Sequence, residues 1–299
     1  MRGRILDALL DRMKKDDRIF FLTADMGINL VEKIQSAFPS RYLNVGIAEQ
    51  NLIGVSAGLC NTGYRPFVYT ISQFLIHRCY EQIRNDIGLH CYPITLLGTS
   101  TGFDNAPLGP THHIVDDWGV LRNIPGIDIY CPSSVKYADT LMDKILAKER
   151  PAYIRIPKGA FEQPDSDQDF VYLEGKKEGI LLISYGFPVQ NCLKVQAQNE
   201  NVSLLVCNRL RPLDAGIMKE VLKSHSRAMI IEDHFPDSGL YGLLCQFCME
   251  HEIPCKLESI APDQYSLHVG SSPAYYASRY GYDVESLNAL ILKKHGQVQ

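Results

Sequence analysis

The sequence predicts an α/β fold made of two domains, and three observations support this prediction. Short apolar runs rich in β-branched residues alternate with longer stretches of helical periodicity, a pattern typical of a parallel sheet covered on both faces. A polar, acidic stretch at 162–169 divides this alternation into two parts. A chain of 299 residues, 45% hydrophobic and 21% charged, is long enough for two globular domains of roughly 120 to 170 residues.

In the first part, apolar runs of four to six residues indicate strands because they are too short and too rich in Ile, Val, Phe and Tyr for helices. The predicted strands are 19–23, 65–70, 93–98, 128–131 and 152–156. The intervening stretches space their apolar residues three or four apart and are therefore predicted helices. These helices are 50–62, 73–88 and 135–148.

The second part repeats the alternation over a shorter length. Its predicted strands are 179–185, 202–206 and 228–232, with 255–260 as a weaker fourth. We therefore assign a first domain to 1–161, a linker to 162–175 and a smaller α/β domain to 176–299.

Charge and hydropathy exclude several classes of protein. The formal net charge is -4 and no basic cluster occurs, so we expect no binding to nucleic acid or to an anionic membrane. No apolar run approaches the roughly 20 residues of a membrane span. Asp7 follows too soon after Met1 for a signal peptide, and the nine scattered cysteines fit a reducing compartment, so we expect a cytoplasmic protein.

Four of the residues near the end of the chain have the spacing of a zinc site, namely Cys245, Cys248, His251 and Cys255. The segment 242–249 that contains the first two also has the pattern of a buried helix stripe. We favour the helix and predict no metal site.

Glu49 is the most informative residue of the chain, because it lies in the segment Val45–Asn51 with no other ionisable side chain. Gly46 and Ala48 leave room on one side of it. An apolar wall is expected on the other side, formed by Leu52, Ile53, Val55 and Leu59. A carboxyl group in such a wall can hold or donate a proton near neutral pH. The alternative is an acidic residue in the first turn of a helix, favourable to the helix dipole.

The segment Arg41–Asn51, RYLNVGIAEQN, resembles the pyrimidine-binding segment of the transketolase family of thiamine diphosphate enzymes. The resemblance implies that Glu49 hydrogen-bonds a ring nitrogen of the cofactor's aminopyrimidine, which drives it to the imino tautomer that deprotonates the thiazolium carbon. The segments 209–214, 231–234 and 275–283 resemble the C-terminal domain of the same enzymes. The implied fold is the pyrimidine-binding domain of the thiamine diphosphate fold, followed by a smaller transketolase C-terminal-like α/β domain.

The Gly-Asp-Gly motif that binds magnesium and the diphosphate in that family is absent from this chain. The resemblance therefore implies the second half of a split transketolase. Its partner would be an N-terminal-half subunit carrying Gly-Asp-Gly and the magnesium ligands, and the expected assembly is α2β2.

The resemblance also implies roles for residues near predicted strand ends. Phe74 is expected to stack on the aminopyrimidine, although a core phenylalanine is an equally good local interpretation. Arg78 continues the same match and is also expected to bind the cofactor. Asp25 is expected to lie close to the cofactor and the subunit interface, or else to cap a turn. In the motif Gly-Pro-Thr-His-His, His112 is expected to contact a donor oxygen. His113 replaces the usual glutamine. It is expected to be either a second acid/base group or a polar residue in the wall of the site.

Three departures from the family pattern concern the substrate. Leu108 stands where an aspartate usually reads a sugar hydroxyl, and a leucine side chain forms no hydrogen bond. Ser100 aligns with a histidine and Lys158 with an arginine, and both of these family residues help to bind a sugar phosphate. We therefore expect a modified sugar rather than the ordinary pentose phosphates. The acidic pair Asp116 and Asp117 is predicted to start a helix and to favour its dipole.

The predicted function is that of a subunit of a thiamine diphosphate-dependent, transketolase-like carboligase. It would transfer a two-carbon unit from a ketose or 2-oxo acid donor to an aldehyde or ketone acceptor, and it would act only with its partner. One alternative is the β subunit of a 2-oxo acid dehydrogenase, which lipoyl-domain binding would distinguish. Another is a non-catalytic α/β binding protein, which a cofactor titration with the partner would distinguish.

Overall fold

The computed structural model describes residues 1–159, 164–176 and 179–295, with side chains to residue 293. Contacts divide the chain into two compact units. The first comprises Met1–Thr101 and Asp117–Ala160, and the second comprises Gly102–Asp116 and Phe161–Gln299. The predicted domain boundary at 161 and the first two residues of the predicted linker lie outside the described residues.

A parallel sheet forms the centre of the first unit. Its strands are β1 (Ile19–Thr23), β2 (Tyr42–Asn44), β3 (Arg65–Ile71), β4 (Thr95–Thr99), β5 (Asp128–Tyr130) and β6 (Ala152–Ile156). Their order is β5-β6-β4-β3-β1-β2. Every residue of β1, β4, β5 and β6 is buried, which explains why these strands appear in the sequence as apolar runs. The short edge strand β2 is partly exposed and was not predicted.

Helices cover the two faces of this sheet. They are α1 (Arg2–Met13), α2 (Glu32–Ala37), α3 (Glu49–Asn61), α4 (Ser72–Ile76), α5 (Tyr80–Gln82), α6 (Asp117–Leu121) and α7 (Val135–Leu146). Helix α1 packs against α7 over a core that includes Leu9, Phe21 and Tyr137. Ser134 caps α7 by accepting a hydrogen bond from the amide of Tyr137 at 3.0 Å.

The single helix predicted at 73–88 is wrong, because the chain is interrupted there. Helix α4 ends at Ile76, α5 begins at Tyr80, and Ile83–Gly88 form a π-helical turn. Cys79 leaves the helical backbone, with φ -111° and ψ 12°, while its side chain is fully buried. The Cys79 thiol donates to the carbonyl of Phe74 at 3.6 Å. Burial of this thiol thus accompanies the turn of the chain between α4 and α5.

The second unit has its own sheet. Its strands are β7 (Phe170–Leu173), β8 (Ile180–Ser184), β9 (Val202–Cys207), β11 (Arg227–Ile231) and β12 (Lys256–Ile260), in the order β12-β11-β8-β9-β7, and β10 (Arg209–Arg211) follows β9 along the chain. The helices are α8 (Val189–Gln198), α9 (Ala215–Lys223), α10 (Leu240–Glu250), α11 (Pro273–Arg279) and α12 (Val284–His295). Asp214 caps α9 by accepting from the amides of Gly216 and Ile217.

Strand β7 corrects the prediction for the end of the linker. Phe170–Leu173 pair antiparallel with β9, and Phe170 and Val171 are buried. The acidic residues before them led us to extend the linker to 175. However, these four residues are apolar or aromatic, and they form the edge strand of the sheet.

Residues 102–116 lie inside the first predicted domain in sequence but pack within the second unit. Phe103, Ala106 and Val115 form a buried cluster with Tyr276 of α11. The amide of Phe235 also donates to the carbonyl of Val115 at 2.7 Å. The second unit therefore includes the segment that contains the Gly-Pro-Thr-His-His motif.

Residues 242–249, which include Cys245 and Cys248 of the possible zinc spacing, lie in helix α10, as the pattern of a buried stripe predicted. Leu240, Leu244, Phe247 and Cys248 are its buried residues. Within the described part of the chain, no group of three or more His, Cys, Asp or Glu side chains is arranged to hold a metal ion. The same part of the chain contains no helix long and apolar enough to span a membrane.

Candidate functional site

Glu49 is the first residue of α3, and only 2% of it is exposed. The preceding loop turns sharply at Gly46, whose φ of +76° favours glycine. No atom lies within 4 Å of the position that a Cβ at Gly46 would take, so the loop leaves open space there. The expected apolar wall is present in part, because Leu52 and Ile53 are fully buried.

The structure adds a cation that the residues next to Glu49 in sequence could not indicate. Arg78 donates from Nη1 to Oε2 of Glu49 at 2.6 Å, and its guanidinium carbon lies 4.5 Å from the centre of the Phe74 ring. Gln50 donates from Nε2 to the carbonyl of Arg78 at 3.0 Å. Three of the predicted cofactor residues are thus in contact. We call Glu49, Phe74 and Arg78 the Glu49 cluster.

Asp25, the fourth predicted cofactor residue, is joined to the loop before Glu49 through Asn44. Oδ1 of Asn44 accepts from the amides of both Asp25 and Gly46 at 3.0 Å. Asp25 has φ +47° and Asn29 has φ +65°, an unusual backbone for residues other than glycine. Backbone strain of this kind is concentrated at functional sites. A cavity of about 390 Å³ lies here, lined by Arg2 and residues 25–30.

Ser100 and Lys158 follow the carboxyl ends of the neighbouring strands β4 and β6. Thr99 is the register partner of Ile156, which places both residues at the same edge of the sheet. Ser100 is buried and has φ +65°, whereas Lys158 is exposed. Ligands bind at this edge in open α/β sheets.

A buried ion pair at this sheet was missed from the sequence. Asp117 accepts from Nε of Arg155 at 3.0 Å and from the hydroxyl of Tyr153 at 2.7 Å, and both charged side chains are fully buried. Burial and the Asp117 charge raise the pKa of Tyr153 well above its ordinary value. Asp117 starts α6 as predicted, but its carboxylate mainly serves this pair. The feature of the sequence that could have indicated this pair is Arg155, a charged residue within the otherwise apolar strand 152–156.

His113 lies in the second unit and is packed among aromatic rings. Its ring contacts Phe103 and Tyr276 edge-on, with centroids 5.1 and 5.0 Å apart. Phe103 stacks on Tyr276 at 4.1 Å and on Tyr280 at 5.6 Å. We call these four residues the aromatic cluster. Burial lowers the pKa of His113, which favours its neutral form at pH 7.

His112 and Leu108, in the same segment, are more accessible than His113. Nδ1 of His112 lies 3.0 Å from the hydroxyl of Thr111, and Leu108 is 56% exposed. A side chain at Gly109 would meet Cγ2 of Val269 at 3.2 Å, so Val269 covers the backbone between them. The candidate residues are thus divided between the two units.

Glu232, which directly follows β11, is another buried carboxyl group. It accepts from the amides of Leu240 and Tyr241 at 2.9 and 3.0 Å and from the Tyr185 hydroxyl at 2.8 Å. Burial raises its pKa to about 7. The sequence resemblance included Glu232 but did not indicate that it joins a strand end to the start of α10.

Comparisons with known proteins identify two family domains along the chain. A family described as "Transketolase, pyrimidine binding domain" matches residues 1–163, and "Transketolase, C-terminal domain" matches 171–286. Over 297 residues the chain is 27% identical to a subunit of the apulose-4-phosphate transketolase of Phocaeicola vulgatus, covering 96% of this chain and 94% of that protein. It is 26% identical over 299 residues to the 6-deoxy-6-sulfo-D-fructose transketolase subunit of a Clostridium species, covering 96% and 92%.

A solved structure of a split-gene transketolase, described as an inactive β4 tetramer, has the same fold. Its TM-score is 0.86 with 24% identity, covering 98% of this chain and 97% of that one. The predicted order of the two folds, a pyrimidine-binding domain followed by a transketolase C-terminal domain, is confirmed. This chain belongs to the transketolase family.

Proposed function

We propose that this chain is the pyrimidine-binding subunit of a thiamine diphosphate-dependent, split transketolase. The observation that carries the proposal is the Glu49 cluster, in which a buried carboxylate and an aromatic ring face the same flat, nitrogen-bearing group. An aminopyrimidine has the same requirements, an acceptor for its nitrogens and a ring to stack on. When bound, thiamine diphosphate supplies a nucleophilic carbon that can carry a two-carbon unit between substrates.

The residues of this chain would bind and orient that cofactor. Glu49 would hold a proton at a ring nitrogen of the pyrimidine, and Phe74 would stack on the ring face. The loop at Gly46 leaves open space at that point. Asp25 would lie at the cofactor side of the strained loop 25–30, next to the cavity described above.

The diphosphate and its magnesium ion need ligands that this chain does not carry, since its sequence contains no Gly-Asp-Gly. A partner subunit with that motif would provide them, in an α2β2 assembly. The structural neighbour described as an inactive β4 tetramer supports a need for the partner, and the relatives described as subunits support a split enzyme.

The substrate would be a modified sugar or a related keto compound. Leu108 is more than half exposed and offers apolar contact in place of a hydrogen-bonding carboxylate. His112 would contact a donor oxygen, and Ser100 and Lys158 would lie on the substrate side of the sheet edge. Relatives that act on apulose 4-phosphate and on a sulfo sugar favour this class of substrate.

Calorimetric titration with thiamine diphosphate and magnesium tests the assignment. We expect no tight magnesium-dependent binding by this chain alone and tight binding after mixing with a partner subunit that carries Gly-Asp-Gly. Two-carbon transfer to aldehyde acceptors should appear only in the mixture. Tight binding by the isolated chain would refute the divided site, and no binding by the mixture would refute the function.

A further inference from the structure

The side chain of Arg78 makes both contacts that the proposed function assigns to the cofactor's aminopyrimidine. It donates to Oε2 of Glu49 at 2.6 Å and lies over the Phe74 ring at 4.5 Å. A guanidinium is flat, carries its N–H groups in its own plane and stacks well on aromatic faces. An aminopyrimidine offers the same combination. Arg78 and the pyrimidine therefore compete for one carboxylate and one ring face.

The backbone of Arg78 is anchored, whereas its side chain is partly exposed to solvent. Gln50 holds the carbonyl of Arg78 at 3.0 Å, and the residue lies in the interruption between α4 and α5. The side chain is 44% exposed. Water therefore reaches the guanidinium of Arg78 but not the carboxylate of Glu49, which is 2% exposed. The guanidinium can thus turn from Glu49 into solvent by rotation of its own side chain, provided that another donor takes its place at the carboxylate.

Glu49 needs a partner at every stage, because it is only 2% exposed. A buried carboxylate without a compensating donor is strongly unfavourable. Arg78 supplies that donor in the chain described here. A ligand that brought its own donor to Oε2 would make Arg78 dispensable, and no ligand without one could displace it.

We infer that Arg78 fills the pyrimidine position of the cofactor-free subunit and withdraws from Glu49 and Phe74 as the cofactor enters. This inference rests on the proposed function. Arg78 is then a positioning residue, which keeps the carboxylate and the ring in place until the cofactor arrives. It also lowers the apparent affinity for the cofactor, because its two contacts must be broken first.

The test measures the affinity and association rate of thiamine diphosphate for the complex of this chain with its partner subunit. Arg78→Met removes the competing cation and keeps a side chain of similar length. We expect about fivefold tighter binding and faster association, the size of effect that a half-exposed ion pair allows. Arg78→Lys, which keeps the charge but lacks the flat fork, should lie between Arg78→Met and the wild type and provides a second variant if Arg78→Met folds poorly.

Two controls separate competition from other effects of the substitution. Arg84→Met removes an exposed arginine that contacts Asn85 rather than Glu49, and it should bind cofactor like the wild type. In a Glu49→Gln background, Arg78→Met should change the affinity far less than in the wild type. If Arg78→Met bound the cofactor only as tightly as the wild type, or more weakly, the inference would be overturned and the proposed function would stand. Absence of binding in both would overturn the proposed function, and the inference with it.

Discussion

Glu49 in the first unit and Glu232 in the second occupy nearly the same setting. Each is buried, with 2% and 0% of its surface exposed, and each lies at the N-terminus of a helix, α3 and α10. Their partners differ. Glu49 faces a half-exposed guanidinium, whereas two amides and a tyrosine hydroxyl donate to Glu232.

This difference separates an adjustable site from a structural one. The amides that bond Glu232 belong to the first turn of α10 and cannot leave without unwinding it, so Glu232 joins β11 to α10 permanently. The guanidinium beside Glu49 belongs to a side chain that can turn into solvent once a ligand brings its own donor to the carboxylate. A buried carboxyl group with a removable partner is suited to bind a ligand, and one with backbone partners is suited to hold a fold.

The largest effect is expected at Glu49. Replacing Glu49 with Gln in the assembled enzyme should slow exchange of the cofactor's thiazolium proton by about 10³-fold, within the range for loss of a general acid or base. Quenched exchange followed by NMR measures this rate. Stability should change little, because a freed Arg78 is hydrated. Glu81→Gln, an exposed acid nearby, is the control; wild-type exchange in Glu49→Gln would refute the assignment.

The pH dependence of stability should reveal Glu232. Its folded pKa of about 7 lies above the ordinary value of 4.5, so the folded state binds the extra proton between these pH values. The stability that protonated Glu232 contributes is then fully present below pH 4.5 and is lost as pH rises through 7. Urea unfolding should show a loss of about 3 kcal/mol from this group over that range.

The matched variant for this prediction is Glu232→Gln, whose stability should lack that slope even if it is lower throughout because an amide has one acceptor oxygen. Glu250→Gln, which removes an exposed carboxyl group at the end of α10, should keep the wild-type slope. Equal slopes in Glu232→Gln and the wild type would mean that Glu232 has no raised pKa.

The two neighbouring histidines should differ by their accessibility. His112→Asn should lower kcat/KM by about 10²-fold, as for loss of a group that transfers a proton or polarises a donor oxygen. His113→Gln should change it by less than about threefold, because His113 is buried among aromatic rings and held neutral. Steady-state kinetics of the assembled enzyme measure both. A larger loss in His113→Gln would make His113 the second acid/base group.

The choice of sugar substrate should depend on Leu108. Leu108→Asp restores an acceptor for a sugar hydroxyl, worth about 1.5 to 3 kcal/mol. Kinetics with xylulose 5-phosphate and ribose 5-phosphate should improve, while a less polar donor or a deoxy keto sugar should serve the wild type better. Robust wild-type activity on the pentose phosphates that Leu108→Asp does not improve would contradict the assigned role of Leu108.

The sequence predicted the strands of both sheets closely where burial on two faces leaves a continuous apolar run. Ile19–Thr23 and Ala152–Ile156 match their strands at both ends. It failed at Tyr42–Asn44, an exposed edge strand without such a run, and at the interrupted helix 73–88. In both places tertiary contacts, rather than local periodicity, decide the backbone.

The candidate site was predictable as residues but not as contacts. Glu49, Phe74 and Arg78 were identified from their resemblance to a family, yet nothing in the spacing of 49 and 78 indicates an ion pair. Asp117 and Arg155 are likewise 38 positions apart and meet only because α6 packs near β6. Long-range charge pairing depends on the fold, and a local pattern cannot contain it.

The path of residues 102–116 limits how this protein can be dissected. The chain leaves the first unit after Thr101 and returns to it at Asp117. The second unit therefore contains residues 102–116, although they lie between two parts of the first unit in the sequence. A fragment cut at the predicted linker, 176–299, would lack Phe103, Ala106 and Val115 and would expose the buried face of Tyr276. A chimera of two relatives should therefore take residues 102–116 and the rest of the second unit from the same parent. A single junction near 162 would combine residues 102–116 of one relative with the remainder of the second unit of the other.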